Sequence, residues 1–359
     1  MKKIWIAIII IAVVALAIVL IMTQTKREPS EIKIGAILPL TGETAQVGEW
    51  AMNGLKLAEE YVNSFPKTRE KSIRLIFEDG MGDAKVSLSA FKKLVEVDKV
   101  KIVFSIISSV DLTLIPEVKK QRIFFFSHAA HPKISGIDPL VYRHSQTAYQ
   151  EAKLISSSTP IAVKDIAIAY MNDDYSIALK DELLKEFEIQ NKNVNLIMFE
   201  KGEIDFLTVA TKILEKKPEF TIIVGYGKNS GLLIVRLKEM GYRGKILVNL
   251  GFIISGATQS AGENIKGVSG VYFDIDITQK GYSEINQLYK NKHNAEIPVP
   301  ALQIFNSLYL LNYAIENVGS DPFAIAEFLK TRKTFQGLGE TITITENNDI
   351  LPSLKIVEF

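Results

Sequence analysis

The chain has 359 residues, 47% hydrophobic and 23% charged, with 42 Lys and Arg against 41 Asp and Glu. This is the balance of a folded chain, and it excludes collagen-like, coiled-coil and nucleic-acid-coating proteins. Cysteine is absent, which removes disulfides, thiolate metal sites, a cysteine nucleophile and the acylated N-terminal cysteine of a bacterial lipoprotein.

Residues 4–22 are an uncharged apolar run behind the basic pair Lys2-Lys3. At about 1.5 Å per helical residue, such a run reaches roughly 28 Å, close to the thickness of a bilayer core. It reads as a cleaved secretory signal or a retained anchor, and both place the body outside the cytoplasm. A retained anchor is expected, because the small-x-small site Ala15-Leu16-Ala17 lies inside the run and cutting there leaves apolar residues 18–22 exposed. Lys26 and Arg27 beyond the run weaken the positive-inside signal without reversing it. Residues 31–359 carry 38 basic and 40 acidic groups, which gives no electrostatic reason to expect nucleic acid as a partner. Their length predicts two domains.

From residue 32 the pattern is short β-branched runs alternating with segments of helical period. Strands are predicted at 32–38, 73–77, 102–106 and 123–126, with helices at 49–63, 83–97 (capped by Asp83) and 112–121 between them. Residues 143–159, polar and rich in Ser and Thr, read as a crossover. A second series follows: strands at 166–170, 194–199, 221–224 and 246–248, with helices at 177–190, 206–216 and 230–240. Beyond 275 come helices at about 281–291, 300–318 and 322–330, then a final β pair, 341–345 with 354–358. The strands are almost continuously apolar, as strands covered on both faces must be. The expected fold is α/β, with two doubly wound parallel-sheet lobes preceded by the apolar N-terminal segment 1–30. One lobe is expected at 31–146 plus 275–335, the other at 147–274 plus 336–359.

In such sheets ligands bind outside the carboxyl ends of the strands, so the loops at 39–48, 80–82, 107–111, 127–135, 171–176, 225–228 and 249–256 locate a cleft. Within them the catalytic inventory is poor. There is no Gly-x-Ser-x-Gly elbow, Walker loop, His-Glu-x-x-His or Gly-x-Gly-x-x-Gly. Asp173-Asp174 could hold a metal in a membrane-anchored glycosyltransferase, but acids before a helix ordinarily cap it. His128, His131 and His144 match no named zinc spacing; His128 is a candidate contact for an anionic ligand. Ser108-Ser109 with Asp111, just before a helix, is either an anion site or a plain cap.

The opening Ile32-Lys-Ile-Gly-Ala-Ile-Leu-Pro-Leu-Thr-Gly42, with Ala45-Gln-Val-Gly48 and Asn53-Gly54, resembles the first strand, ligand loop and helix of the type I periplasmic solute-binding proteins of the branched-chain amino-acid transporter group. Phe104 to Ser109, Ser127-His-Ala-Ala-His-Pro132, Tyr142-Arg143, Asp174-Tyr175, Asp205-Phe206, Gly225-Tyr226-Gly227 and the closing Gly339 with the 341–345 strand extend the likeness in order over residues 31–359. The resemblance implies a non-enzymatic two-lobed receptor without a cofactor. Three hinge crossings let it close on a small molecule, an amino acid or other carboxylate, which an ABC permease then receives. A signalling partner in place of the permease is the alternative.

By position, the resemblance implies that Ser108, with Ser109, and the backbone around Ala129 and Ala130 hold a carboxylate. Val47 takes the aromatic wall position of the first loop, and Tyr175 and Tyr226 face the ligand from the second lobe. Where the family holds an α-ammonium this chain has Ala130, Thr147 or Ala148, and Leu250. The anion end of the site is kept and the cation end is not. Only Asp111, Asp174 and Asp274 offer replacement acids. The expected ligand is therefore a small acid without a free α-ammonium, its apolar body against Val47, Leu250, Tyr175 and Tyr226.

Overall fold

A computed structural model describes residues 31–65 and 72–359. The 4–22 segment lies outside the described residues. Among those described, no helix is long and apolar enough to cross a membrane.

The chain begins with β1 (Ile32–Leu38), α1 (Ala45–Ser64), β2 (Ile73–Asp79), α2 (Ala84–Lys92), β3 (Ile102–Ser105), α3 (Ser108–Gln121), β4 (Phe124–Ser127) and β5 (Val141–His144). It continues through α4 (Ala148–Ser158), β6 (Asp165–Met171), α5 (Asp174–Ile189), β7 (Asn193–Phe199), α6 (Leu207–Glu215), β8 (Phe220–Val224), α7 (Gly231–Glu239), β9 (Lys245–Val248), α8 (Leu250–Ile254), α9 (Ala257–Ala261) and β10 (Ser269–Phe273). The C-terminal part adds α10 (Tyr282–His293), α11 (Val299–Val318), α12 (Pro322–Thr331), β11 (Thr334–Gln336), β12 (Thr341–Thr343), β13 (Asp349–Ile350) and β14 (Leu354–Glu358).

Two six-stranded sheets result, in the orders β13-β5-β4-β3-β1-β2 and β14-β10-β9-β8-β6-β7. Their pairings are parallel except for β14 on β10. The α/β fold of two parallel-sheet lobes read from the sequence is the observed one. The chain passes between the sheets at residues 145–147, 274–281 and 351–353.

Two expectations are corrected. The final strands do not pair with each other: β12 pairs with β11, and β14 with β10. The third passage also lies after residue 350 rather than at 335, because β13 joins β5 in the first sheet. A two-residue strand carries no period to read, so the boundary was invisible.

The first passage, 145–147, falls inside the crossover read at 143–159, and the rest of that segment is regular structure. Tyr142, Arg143 and His144 are fully buried in β5, each with a partner: Tyr142 donates to the Ala326 carbonyl at 2.9 Å, Arg143 pairs with Asp349 at 2.8 Å, and His144 Nδ1 meets Ser307 Oγ at 2.9 Å. α4 starts with a Thr147–Gln150 capping box, and its Ser156, Ser157 and Ser158 hydroxyls donate back to helix carbonyls. Hydroxyls spent this way look like linker chemistry in sequence but are compatible with a helix end.

The core of the first lobe has two faces. α1 and α11 pack on one side of the sheet, α2 and α3 on the other. A Cβ on Gly54 would lie 2.3 Å from the Ala301 carbonyl oxygen, so only glycine lets α1 and α11 approach this closely. The Arg143–Asp349 pair ties β5 to β13, the two strands from which the chain leaves the first lobe, and both side chains are almost wholly buried. Breaking such a pair from one side leaves an uncompensated charge in the interior. Asp349→Ala is therefore expected to lower the unfolding free energy by about 3–5 kcal/mol in urea titrations; a loss below about 1 kcal/mol would show that the pair is not holding the two strands together.

Candidate ligand-binding cleft

The carboxyl ends of both sheets face a cleft of about 860 Å³, part of it continuous with solvent. It is lined from the first lobe by the start of α1 and the loops after β3, β4 and β5, and from the second by the loops after β6, β8 and β9. Two contacts cross its mouth. Asn229 Nδ2 donates to Glu43 Oε1 and Lys201 Nζ donates to the Gly82 carbonyl, each at 3.2 Å.

The first lobe presents an unsatisfied helix N-terminus. α3 starts at Ser108, four residues earlier than the apolar period indicates; its N-cap is Ile107, and no side chain caps it. The N–H groups of Ser108, Ser109 and Val110 find no acceptor among the described residues, whereas that of Asp111 reaches the Ile107 carbonyl. Ser108 is 6% exposed and its hydroxyl has no hydrogen-bond partner among the described residues. Asp111 does not cap either: its carboxylate is fully buried behind the cleft wall and accepts from Ser127 Oγ. Burial pushes that carboxyl up to about 7. The choice between a plain Ser/Asp cap and an anion-receptive helix start thus falls to the second. In the next loop the Ala129 N–H points at Ser127 Oγ at 3.3 Å, and the Ala130 carbonyl accepts from Ala148.

His128 lines the cleft but brings no charge. Its ring stacks on Phe104 and Phe126, and burial, helped by nearby His144, holds its pKa well below the ordinary histidine value. His131 Nδ1 accepts from the Lys133 N–H in a short turn. No group of three metal-capable side chains exists among the described residues.

The second lobe supplies Tyr175 and Tyr226, with ring centroids 6.4 Å apart. The Tyr175 hydroxyl is already committed: it donates to Glu151 Oε2 at 2.5 Å and accepts from Asn249 Nδ2 at 2.9 Å. The Tyr226 hydroxyl has no partner among the described residues and remains available to a ligand. Asp173 caps α5, its Oδ1 accepting from the Tyr175 and Ser176 N–H groups. Its Oδ2 is buried without a partner.

Of the nine residues singled out from sequence, Val47, Ser108, Ser109, His128, Ala129, Ala130, Tyr175 and Tyr226 line this cleft. Leu250 does not. Its side chain is 1% exposed in the second-lobe core, and only its N–H has a role, donating to Glu151 Oε1 at 2.7 Å; the adjacent Gly251 reaches the cleft instead. The replacement acids also fall elsewhere: Asp174 is exposed on α5 and Asp274 pairs with Lys355 at 3.2 Å. Reading from sequence missed Glu151, Thr44 and Gln303.

The chain belongs to the periplasmic binding protein family, whose model matches residues 31–353. Its two-lobed fold is the type I one, and the family implies an extracytoplasmic solute receptor. A Leu/Ile/Val-binding protein homologue of Brucella melitensis is 24% identical over 344 residues, covering 92% of each chain. A substrate-binding protein of a branched-chain amino-acid transporter from Streptococcus pneumoniae, solved with isoleucine, superposes with a TM-score of 0.82 at 20% identity, over 92% of this chain and 96% of that one. A solute-binding protein of R. palustris, solved with benzoate, gives 0.81 at 17% identity, over 92% and 93%.

Glu151 carries the pH dependence of this wall. It is wholly buried and burial raises its carboxyl to about 7, against opposing hydrogen bonds from Tyr175 and Leu250. A carboxyl raised on folding stabilises fully below its unfolded value, near 4.5, and that contribution is lost as pH rises to about 7. Glu151→Gln keeps an acceptor for Leu250 and cannot ionise. The variant is expected to gain melting temperature over the parent at pH 8 and little at pH 5; an equal shift at both would show that Glu151 does not titrate in this range.

Proposed function

We propose that this receptor binds a small organic acid lacking a free α-ammonium and passes it to an ABC permease. Residues 4–22 hold it at the outer face of the membrane. The observation that carries this reading is the uncapped start of α3, where three N–H groups and the unpaired Ser108 hydroxyl converge on the cleft. An anion there satisfies several orphan donors at once, with about 0.3–1 kcal/mol more from the helix dipole. Ala130, Thr147, Ala148 and Leu250 give an ammonium nothing, and burying one unpaired costs several kcal/mol. The benzoate-bound neighbour is a relative in fold whose ligand is an acid without an ammonium. Asp173 Oδ1 caps its helix, and the described residues include no group of three metal-capable side chains around it, which speaks for a receptor over a metal-dependent transferase.

One observation favours a second reading, an ordinary branched-chain amino acid. Asp173 Oδ2, buried and unpartnered at the cleft wall, could accept from an ammonium.

Calorimetry separates the two. Leucine, isoleucine and valine are expected to bind at least tenfold more weakly than their keto-acid analogues, a gap of about 1.4 kcal/mol. Submicromolar leucine binding without a response to the keto acid would overturn the proposal. Ser108→Ala is expected to weaken any bound carboxylate by about 1–3 kcal/mol, the value of a buried hydrogen bond to charge; unchanged affinity would remove Ser108 from the site.

A further inference from the structure

Gln303 lies in α11 with 5% of its surface exposed, among apolar neighbours, and it lines the cleft. Its backbone carbonyl accepts from Ser307 Oγ at 3.1 Å, but its side-chain amide has no hydrogen-bond partner among the described residues. Neither amide atom is among the fully buried unpartnered ones, so the amide is open to the cleft, and native proteins ordinarily fill such groups from the chain, from water or from a ligand. It is not a tail of the carboxylate site. Gln303 comes from the α1/α11 face of the first sheet and Ser108 from the opposite, α2/α3 face.

α11 is fastened to β5 through the Ser307–His144 contact at 2.9 Å, and β5 is two strands away from β3, which leads into Ser108. The two unpaired groups therefore enter the cleft from opposite faces of the first sheet. The cleft also presents apolar surface from Val47, Ile107 and Ile304.

We infer that Gln303 reads a second hydrogen-bonding group on the ligand, a hydroxyl or an amide, at the end of an apolar body remote from its carboxylate. The inference rests on the carboxylate reading above and adds that the solute is bifunctional. A site built to bond a polar group discriminates strongly against the analogue lacking it, because its own polar atom is then left unpaired.

The test is calorimetry with matched acids: 4-hydroxybenzoate against 4-methylbenzoate, and 6-hydroxyhexanoate against heptanoate, on the parent protein, Gln303→Leu and Gln303→Met. In at least one pair the parent is expected to favour the hydroxy acid tenfold or more. Both variants are expected to bring that ratio to about one, chiefly by tightening the apolar acid. Having two variants guards against one that fails to fold, which its melting curve would show. A parent ratio near one in both pairs, or a preference that survives both substitutions, overturns the role of Gln303 and leaves the carboxylate site standing. Failure of all four acids and of the keto acids to bind overturns both.

Discussion

Three backbone N–H groups at the start of α3 have no acceptor among the described residues, and the cleft is arranged around that deficit. Any helix leaves its first N–H groups orphaned, and the usual remedy is a Ser, Thr, Asp or Asn at the N-cap. Here the N-cap is Ile107, and the Asp111 carboxyl, which could have served, is turned inward to Ser127. α5 shows the opposite solution a short distance away in the second lobe, where Asp173 closes its own helix. One helix start is left open to the cleft and the other is filled from within, so the two lobes are not electrostatic equivalents.

The second constraint is the shortage of positive charge. Among the described residues no lysine or arginine lines the cleft, although Lys201 Nζ stands 6.0 Å from the centre of the Tyr226 ring at its mouth, and His128 is kept neutral by burial. Backbone amides aimed at a fixed point in a water-poor site can hold an anion without a formal positive charge. The buried carboxyls behind the two walls, Asp111 and Glu151, fit the same economy, since burial favours their neutral form. Each fixes a residue at the cleft wall. Asp111 orients Ser127 beneath the Ala129 loop, and Glu151 holds both the Tyr175 hydroxyl and the Leu250 N–H.

Much of the site was legible because loops after parallel strands are obliged to meet at one edge of the sheet. The loops that carry Val47, Ser108, Ala129, Tyr175 and Tyr226 could be placed from their position after a strand, and the family resemblance singled out those residues within them. Leu250 shows the limit of that reasoning. In a loop that continues directly into a short helix, a one-residue difference in phase sends one side chain to the core and its neighbour, Gly251, to the cleft. Gln303 and Glu151 were out of reach for a different reason. Each enters the site from a helix far along the chain from the loop it faces, and nothing in local pattern says which helix face meets which loop.

The alternation of apolar runs with amphipathic segments by itself determined the two parallel sheets, since burial on both faces writes its signature into every strand. Local chemistry also settled the Asp83 and Asp173 caps, whose N–H donors lie two or three residues away. Tertiary structure alone decided the fate of the polar segments. Tyr142-Arg143-His144 became a buried strand because Ala326, Asp349 and Ser307, all more than 160 residues distant, supply its partners. It alone also decided that Asp349–Ile350 belongs with the first sheet, and that the Ser108 hydroxyl and the Gln303 amide remain unpaired at the same cleft. A sequence shows which groups need partners; only the assembled fold shows which of them are left for a ligand.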